Sequence, residues 1–268
     1  MALFNKKKKS ELNTGTVFSR EDPKKMLCPE SPFVVKEAYS SIRTNLMFTQ
    51  QGEACPIFII TSPTANNGKT INSINLAISF AQMGKRTLLI DADMRNPTIH
   101  RMFSIPVKNG LSEILAGLTD NITVTKTEIE NLSILTSGKI PPNPTELLAS
   151  PRMDKLLSFV KEHYDCVFID TPPVNLVTDA TVFAQKSTGY VLIVKANVSD
   201  TTDIKTALSN IKGIDGNVLG IILNDISSSR HKYYSYYRRY DYKYKYSYGY
   251  GYGYGHRAKH QLYLIVIT

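Results

Sequence analysis

Cysteine, long apolar runs and a cleavable leader are scarce or missing in this chain of 268 residues, and each absence excludes a class of protein. Cys28, Cys55 and Cys166 are odd in number and have no C-x-x-C spacing, which argues against a disulfide framework and against a zinc or iron–sulfur site. No apolar run approaches the roughly 18–20 residues that span a bilayer. The basic start MALFNKKKKS is not followed by the apolar stretch of a signal peptide. We therefore expect a cytoplasmic protein.

Net positive charge is confined to the two ends of the chain. Residues 1–25 carry seven basic and three acidic side chains, and residues 230–259 carry eight and one. These charges of +4 and +7 leave about −2 for residues 26–229 out of the total of +9. The central part is therefore not a basic platform, and we expect no nucleic-acid partner for it.

Short runs rich in Ile, Val and Leu alternate with helical stretches. Runs that are apolar throughout are typical of strands buried on both faces, and therefore of a parallel sheet. The predicted strands cover residues 56–62, 86–93, 165–173, 189–196 and 217–225, and the predicted crossover helices cover residues 70–84, 145–163 and 200–213. We predict a doubly wound α/β fold with a mostly parallel sheet, whose ligands bind at the carboxyl ends of the strands.

The composition predicts three regions. Residues 1–30 are expected to be a flexible basic leader, and residues 31–226 the α/β domain. Residues 227–268 are dominated by Tyr, Arg, Lys, Ser and Gly, which cannot bury enough apolar surface to order a chain, so we predict a disordered tail. The last seven residues, LYLIVIT, are an exception, because they are apolar and prone to form a strand.

The first predicted strand is followed by SPTANNGKT and a helix, the context that a phosphate-binding loop requires. In such a loop the backbone amides and the helix N-terminus bind phosphates, the lysine neutralises their charge and the hydroxyl reaches Mg²⁺. The general pattern has glycine six residues before the lysine, where this chain has Pro63. The nucleotide-binding residues are predicted to be Asn66, Asn67, Gly68, Lys69 and Thr70.

Carboxylates follow two other predicted strands. LLIDADMR places Asp91 and Asp93 at a strand end with Arg95 beyond them, and VFIDTPP places Asp170 at another. Carboxylates in this position hold the water shell of a metal ion or accept a proton. One such aspartate alone is more often a turn or a helix cap, but all three together with the lysine loop favour a nucleotide site.

These three elements resemble the Walker A, Walker A′ and Walker B motifs of bacterial tyrosine kinases of the CpsD/CapB type, which belong to capsule and exopolysaccharide loci. The resemblance covers roughly residues 31–254, including EAYSSIRTNL, GLSEIL and PPNPTELL. It implies a P-loop NTPase of ParA/MinD-like fold that uses ATP and Mg²⁺ as a cytoplasmic protein-tyrosine kinase. It also implies a membrane-embedded activator that recruits the kinase to the membrane face, and self-association in which one copy phosphorylates the tail of its neighbour.

The resemblance assigns roles to individual residues. Those implied as catalytic are Lys69, Asp91, Asp93 and Arg95, and those implied for Mg²⁺ are Thr70, Asp91 and Asp170. The sequence does not indicate which aspartate is the base. Asn224, at the end of the last predicted strand, is a candidate contact for adenine, although a turn-capping role is the simpler interpretation. Self-association is assigned to Glu37 and Arg43.

Two positions depart from the family's pattern, and one alternative function stays open. Ser40 occupies the middle position of the motif E-x-x-R-x-x-R, so we expect weaker assembly. Asn66 stands where the family usually has glycine, so we expect reduced nucleotide affinity. The alternative is a partner-regulated ATPase switch of the ParA/MinD kind. That class carries a signature lysine where this chain has Thr64, and it lacks a tyrosine-rich tail.

Twelve tyrosines lie within residues 233–254. Three roles compete for them: binding of single-stranded nucleic acid by stacking, a structural repeat, and phosphorylation. We expect phosphorylation, because the chain carries kinase-like motifs and each phosphate adds about −1.5 to −2 charge, so that roughly four would cancel the tail's positive charge. The predicted acceptors are Tyr233, Tyr234, Tyr236, Tyr237, Tyr240, Tyr242, Tyr244, Tyr246, Tyr248, Tyr250, Tyr252 and Tyr254.

Overall fold

The apolar runs of the sequence become the strands of one sheet. The computed structural model describes residues 23–49, 52–226 and 262–266, the last of these as backbone only. The strands of these residues are β1 (Ile57–Thr61), β2 (Thr87–Asp91), β3 (Thr125–Lys126), β4 (Leu132–Leu135), β5 (Cys166–Asp170), β6 (Gly189–Lys195), β7 (Val218–Ile226) and β8 (Leu262–Val266).

The strand order across the sheet is β3-β4-β2-β5-β1-β6-β7-β8. The six central strands are parallel to their neighbours, whereas β3 and β8 run antiparallel at the two edges. This confirms the predicted doubly wound, mostly parallel sheet. The five predicted strands are β1, β2, β5, β6 and β7, while β3 and β4 are additions that the sequence did not predict. β8 lies in the strand-prone segment LYLIVIT, whose place in the sheet the sequence did not predict. The carboxyl ends of the parallel strands meet at one end of the sheet, which we call its carboxyl end.

Helices connect the strands and cover both faces of the sheet. They are α1 (Phe33–Thr49), α2 (Lys69–Ala81), α3 (Ile99–Met102), α4 (Leu111–Leu115), α5 (Pro144–Ala149), α6 (Pro151–His163) and α7 (Thr201–Lys212), with 3-10 turns at Pro23–Lys25 and Thr181–Phe183. The helix predicted over 145–163 is two helices, because a second one begins at Pro151, whose missing N–H favours a first helical position. Asp200 caps α7 by accepting a hydrogen bond of 2.7 Å from the amide of Thr202.

Two apolar cores lie on opposite faces of the sheet. One packs α1 and α2 against it, with the rings of Phe58, Phe80 and Phe168 in contact at centroid distances of 5.1–5.8 Å. The other packs α4, α5, α6 and α7 against the opposite face. Each fully buried aliphatic or aromatic side chain contributes about 1.5–3 kcal/mol to folding. Burial on both faces explains why the central strands are apolar throughout.

The structure adds detail at both ends of the predicted α/β domain. Residues 23–30 belong to the packed unit, since Leu27 is only 5% exposed and joins the core under α1. At the other end, Leu262–Val266 pairs with β7 in the register Ile226↔Leu262. The disorder predicted for the rest of the tail lies outside the described residues. None of the described helices is both long enough and apolar enough to cross a bilayer.

Candidate active site

The loop of residues 62–68 joins β1 to α2 at the carboxyl end of the sheet. Asn66 (φ 64°) and Gly68 (φ 84°) adopt left-handed conformations, and asparagine tolerates this better than most residues. A Cβ atom at Gly68 would lie 2.2 Å from Nδ2 of Asn224, so any other residue would displace that side chain as well as strain the backbone. Pro63 is not among the residues with positive φ, so the backbone does not require glycine at that position. Lys69 opens α2, and its first-turn amides face the loop.

Asn67 holds this loop with its side chain. Its Nδ2 donates to the carbonyl and the hydroxyl of Thr64 at 2.8 and 2.9 Å, and its Oδ1 accepts from the amide of Lys195 and the hydroxyl of Ser199. The side chain amide is therefore fully hydrogen-bonded within the protein. Any contact of Asn67 with a nucleotide would come from its backbone.

Asn224 lies within β7 and also supports the loop. Its Nδ2 donates to the carbonyl of Asn67 at 2.9 Å, and its Oδ1 is buried without a hydrogen-bond partner. The predicted contact with adenine can therefore involve this acceptor oxygen or the second hydrogen of Nδ2. A buried acceptor is costly to leave unpaired, which favours a donor from a ligand.

Lys69 lies between two of the three aspartates predicted for the site. Its Nζ is 2.7 Å from Oδ2 of Asp93 and 3.5 Å from Oδ2 of Asp170. The hydroxyl of Thr70 donates to the same oxygen of Asp170 at 2.7 Å. Asp91 joins them because β2 and β5 are adjacent parallel strands that place Asp91 directly beside Asp170 in the ladder. The structure therefore brings these five residues together.

Burial of Asp91, Asp170 and Lys69 in one cluster shifts the pKa of each of these groups. Burial raises the pKa of Asp91 to about 8, and the charges of Asp170 and Asp93 act in the same direction. Burial also raises the pKa of Asp170, against the attraction of Lys69 and a hydrogen bond from Thr70. Burial alone would lower the pKa of Lys69, but the charges of Asp170 and Asp93 more than offset this and raise it. The site therefore keeps a cationic lysine and favours additional positive charge.

The oxygen atoms at this position suit a small hard cation such as Mg²⁺. Oδ2 of Asp91 accepts from the amides of Thr98 and Ile99 at 3.1 Å, but its Oδ1 is buried without a partner. Among the described residues, no group of three or more His, Cys, Asp or Glu is arranged to hold a metal ion by itself. Mg²⁺ often takes only one or two carboxylates and completes its shell with water and nucleotide phosphates. The unpartnered oxygen of Asp91 fits that mode.

Arg95 contacts a residue that the sequence did not single out. Its Nε and Nη2 donate to the two oxygens of Asp179 at 2.8 and 2.9 Å. Thr145 at the start of α5 donates to Asp179 as well. The Asp179 side chain is 0% exposed and that of Arg95 43% exposed, so a buried carboxylate holds a half-exposed guanidinium. The hydrogen bonds of Arg95 run to Asp179 and Thr145 rather than to Lys69 or the other aspartates.

The remaining predicted residues lie away from this cluster or beyond the described chain. Glu37 is exposed on α1, whereas Arg43 donates to the carbonyl and hydroxyl of Ser79 on α2 at 2.7 and 3.0 Å. Arg43 therefore ties α1 to α2 in addition to any role between copies. The twelve tail tyrosines lie outside the described residues, and their role as acceptors stays a prediction.

Sequence reasoning missed two polar residues at the site. Ser73, one turn into α2, donates to Oδ1 of Asp170 at 2.8 Å, which fixes the carboxylate together with Thr70. Asp179 holds Arg95. The spacing of Ser73 and Thr70 along one helix face is a usable signal, since residues three apart share a face. Asp179 lies in a loop with no periodic pattern, and only the tertiary fold brings it to Arg95.

Comparison with known proteins agrees with this geometry. Residues 61–218 match the family model described as an AAA domain. The tyrosine-protein kinase CpsD of Streptococcus pneumoniae is 36% identical over 200 residues, which cover 74% of this chain and 87% of that protein. The kinase domain of Escherichia coli tyrosine kinase ETK superposes with a TM-score of 0.69 at 31% identity, over 82% of this chain and 80% of the other. This chain belongs to the bacterial tyrosine-protein kinase family.

A more distant likeness concerns the fold alone. The septum site-determining protein MinD of Pyrococcus horikoshii has a TM-score of 0.53 at 23% identity, over 62% of this chain and 69% of that protein. This confirms the predicted P-loop NTPase fold of the ParA/MinD kind. The higher identity to the tyrosine kinases favours the bacterial tyrosine-kinase family over the switch ATPases.

Proposed function

We propose that this member of the bacterial tyrosine-kinase family transfers the γ-phosphoryl group of ATP to tyrosine hydroxyls in the cytoplasm. We further propose that its acceptors are the tyrosines of residues 233–254 in a neighbouring copy. The observation that carries the proposal is the position of the Lys69 ammonium, within 3.5 Å of the carboxylates of both Asp93 and Asp170 at the end of a phosphate-binding loop. A cation placed there meets the phosphates of a nucleotide bound on the loop.

The residues of the loop and of the strand ends bind different parts of the nucleotide and its metal ion in this proposal. The amides of the loop and of the first turn of α2 bind phosphate oxygens, and Lys69 neutralises charge on the transferring group. Thr70, Asp91 and Asp170 would hold Mg²⁺, which when bound neutralises phosphate charge and orients the phosphates. Ser73 keeps the Asp170 carboxylate in place through its 2.8 Å hydrogen bond.

Transfer forms one bond and breaks another. The oxygen of the incoming tyrosine bonds to the γ-phosphorus, and the bond from that phosphorus to the β–γ bridging oxygen breaks, which releases ADP. The tyrosine proton passes to a carboxylate of the site. We assign this step to Asp93, because the free oxygen of Asp91 is assigned to the metal, while Asp93 is held at 2.7 Å from Lys69 and at 3.0 Å from the amide of Asn96. Positioning and electrostatics supply most of the catalysis in such transfers.

The tail and its partners provide the regulation in this proposal. A membrane-embedded activator of the polysaccharide co-polymerase kind would recruit the kinase to the membrane face, where it controls capsular or exopolysaccharide synthesis. Each phosphate adds about −1.5 to −2 charge to a tail of net charge +7, so successive transfers reverse its sign in steps. Self-association through α1 would bring one copy's tail to the site of the next.

Phosphotyrosine mapping by mass spectrometry tests the proposal. The purified chain is incubated with Mg²⁺ and ATP, with and without a cytoplasmic activator segment, beside the variants Lys69→Met and Lys186→Met. Lys186 lies away from the site and pairs with Asp154 at 2.7 Å. Lys186→Met is therefore a matched control, because it also removes a lysine that pairs with an aspartate. We expect phosphate on residues 233–254 in the wild type and in Lys186→Met, and none in Lys69→Met.

A mixing experiment separates transfer between copies from transfer within one. A variant with all twelve tail tyrosines changed to phenylalanine keeps its site but has no acceptor, and Lys69→Met keeps its acceptors but lacks the site lysine. Phosphate on the Lys69→Met tail after mixing supports transfer between copies. ATP turnover without phosphotyrosine in any sample, with activator present, would refute the kinase proposal and favour the switch ATPase.

A further inference from the structure

A buried series of hydrogen bonds joins residues 25–27 to the phosphate-binding loop. The amide of Leu27 donates to Oδ1 of Asn75 at 2.7 Å, and Nδ2 of Asn75 donates to the hydroxyl of Tyr39 at 3.0 Å. That hydroxyl donates to Oδ1 of Asn72 at 3.1 Å, and Nδ2 of Asn72 donates to the carbonyl of Gly68 at 2.9 Å. We call these four bonds the Tyr39 relay.

The relay is shielded from water and has a fixed direction. The side chains of Tyr39, Asn72 and Asn75 are all buried, with 0% exposure. Asn75 cannot reverse its amide, because its Oδ1 accepts from one backbone amide while its Nδ2 donates to the carbonyl of Lys25 at 3.1 Å. The Tyr39 hydroxyl must therefore accept from Asn75 and donate to Asn72. This in turn fixes the Asn72 amide with its Nδ2 toward Gly68.

The relay ends at the peptide bond between Gly68 and Lys69. Gly68 is the last residue before α2 and has the left-handed conformation φ 84°, ψ 25°. Its carbonyl accepts both from the Asn72 side chain and from the Asn72 backbone amide, at 2.9 and 3.1 Å. The same peptide unit contains the amide of Lys69, which faces the phosphate position. An Asn72 amide turned the other way would put an oxygen against the Gly68 carbonyl and oppose this orientation.

We propose that Tyr39 is a positioning residue for nucleotide binding: through Asn72 it fixes the peptide between Gly68 and Lys69, and so couples α1 to the phosphate-binding loop. This proposal rests on the proposed function only in that the loop binds a nucleotide. It gives α1 a second task besides self-association. Tyr39 lies within the segment that resembles the family's self-association motif, next to Ser40 and between Glu37 and Arg43. A shift of α1 on assembly would therefore act on the loop directly.

The competing explanation is that Tyr39 is only a packed core residue, and a second buried tyrosine provides the matched control. Tyr190 is also 0% exposed, and its hydroxyl donates one hydrogen bond, of 2.8 Å, to the carbonyl of Ala180 on the other face of the sheet. Tyr39→Phe and Tyr190→Phe each remove one buried hydroxyl and leave the ring. Tyr39→Phe removes two hydrogen bonds and Tyr190→Phe removes one, so Tyr39→Phe should lower stability more. Only Tyr39→Phe, however, interrupts a series that ends at the loop.

The test is the dissociation constant of a fluorescent ATP analogue with Mg²⁺, measured beside the urea midpoint for each full-length variant. Tyr39→Phe should weaken binding about three- to tenfold, the equivalent of one hydrogen bond's net contribution, whereas Tyr190→Phe should stay within about twofold of wild type. Asn75→Ala changes no residue of the loop but removes the donor to the Tyr39 hydroxyl. It should therefore also weaken nucleotide binding. The double variant Tyr39→Phe/Asn75→Ala should bind no more weakly than Tyr39→Phe alone.

The outcomes separate this inference from the proposed function. Loss of stability in both tyrosine variants, with nucleotide affinity unchanged in both, would overturn the positioning role and leave Tyr39 a core residue. Additive losses from Tyr39 and Asn75 would overturn the relay as one unit. Absence of binding by wild type, or binding that Lys69→Met does not weaken, would overturn the nucleotide site itself and the inference with it. Lack of phosphotyrosine despite normal binding would refute the kinase alone.

Discussion

The pair of Arg95 and Asp179 makes the sharpest prediction about the site. The resemblance to bacterial tyrosine kinases implied a catalytic role for Arg95, and a guanidinium there could offset charge on the transferring phosphoryl group. In the structure its Nε and Nη2 donate to Asp179 instead, at 2.8 and 2.9 Å. Arg95 lies two residues after Asp93, which contacts Lys69 at 2.7 Å. We therefore expect that Asp179, through Arg95, keeps the segment carrying Asp93 in place.

The size of the effect follows from burial. Arg95→Ala removes two hydrogen bonds to a charged acceptor, each contributing about 1.5–3 kcal/mol. Because the arginine side chain is 43% exposed, water replaces part of this, and we expect a loss of about 2–3 kcal/mol in the free energy of unfolding. Asp179→Asn keeps the volume and leaves a guanidinium that water can reach, so it should cost about 1–2 kcal/mol. The double variant should cost no more than Arg95→Ala alone, since no unpaired carboxylate stays buried.

Urea unfolding of the four proteins measures these values, and autophosphorylation rates distinguish the two roles of Arg95. If Arg95 acts through position, Arg95→Ala and Asp179→Asn should lower the rate by similar factors, between about 10- and 100-fold, without additivity. Arg95→Lys should not restore the rate, because lysine keeps the charge but loses the two-pronged hydrogen bond. Asp179→Asn keeps the arginine cation. A near-normal rate in this variant, together with a slow rate in Arg95→Ala, would refute the positioning role and show that Arg95 acts on the transferring phosphoryl group.

Three further predictions concern metal, thiols and the loop. Burial, aided by the charge of Asp170, raises the pKa of Asp91 to about 8, so Mg²⁺ must displace a proton at lower pH. Its affinity by calorimetry should fall as pH is lowered from 8 to 6, by up to about tenfold per unit. Because burial raises the pKa of Asp170 as well, Asp91→Asn should reduce this slope. Burial raises the pKa of Cys55 to about 11 and that of Cys166 to about 12. A thiol reagent at pH 8 should therefore modify the more exposed Cys28 first, and equal rates for all three thiols would contradict this. Asn66→Gly should change the free energy of unfolding by less than about 1 kcal/mol and the nucleotide dissociation constant by less than about twofold.

Most of the fold follows from local pattern. The central strands are buried on both faces, so their sequences are uniformly apolar and easy to recognise. β3 was missed because it is two polar residues long, and β4 because only four residues pair. The strand tendency of LYLIVIT is visible in the sequence, but its pairing with β7 joins residues separated by the whole tyrosine-rich segment. Such long-range pairing leaves no local signal.

The candidate site shows the same difference between features with a local sequence signal and features without one. Lys69, Thr70 and the three aspartates could be predicted, because motifs mark them and parallel strands carry them to one edge. The hydrogen-bond partners at the site could not be predicted, because only tertiary contacts bring Asp179 and Asn72 there. The direction of the Arg95 side chain illustrates the difference: the motif locates the residue, but the buried carboxylate opposite it determines which way the guanidinium points.

Asn66 stands where the family usually has glycine, and we expect this difference to affect stability rather than nucleotide affinity. A left-handed asparagine costs a fraction of the 1–2 kcal/mol that other residues pay, because its short polar side chain is tolerated there. Asn66 already has φ 64° in the loop that would receive the nucleotide, and its side chain is exposed. The protein therefore bears this cost on folding, whether or not a nucleotide binds, and the cost cancels from the binding free energy. Because glycine would also increase the entropy of the unfolded chain, the two effects on stability oppose each other. Reduced nucleotide affinity, which the departure from glycine first indicated, should therefore not follow from Asn66, and a substantial gain in affinity in Asn66→Gly would show that the loop moves on binding.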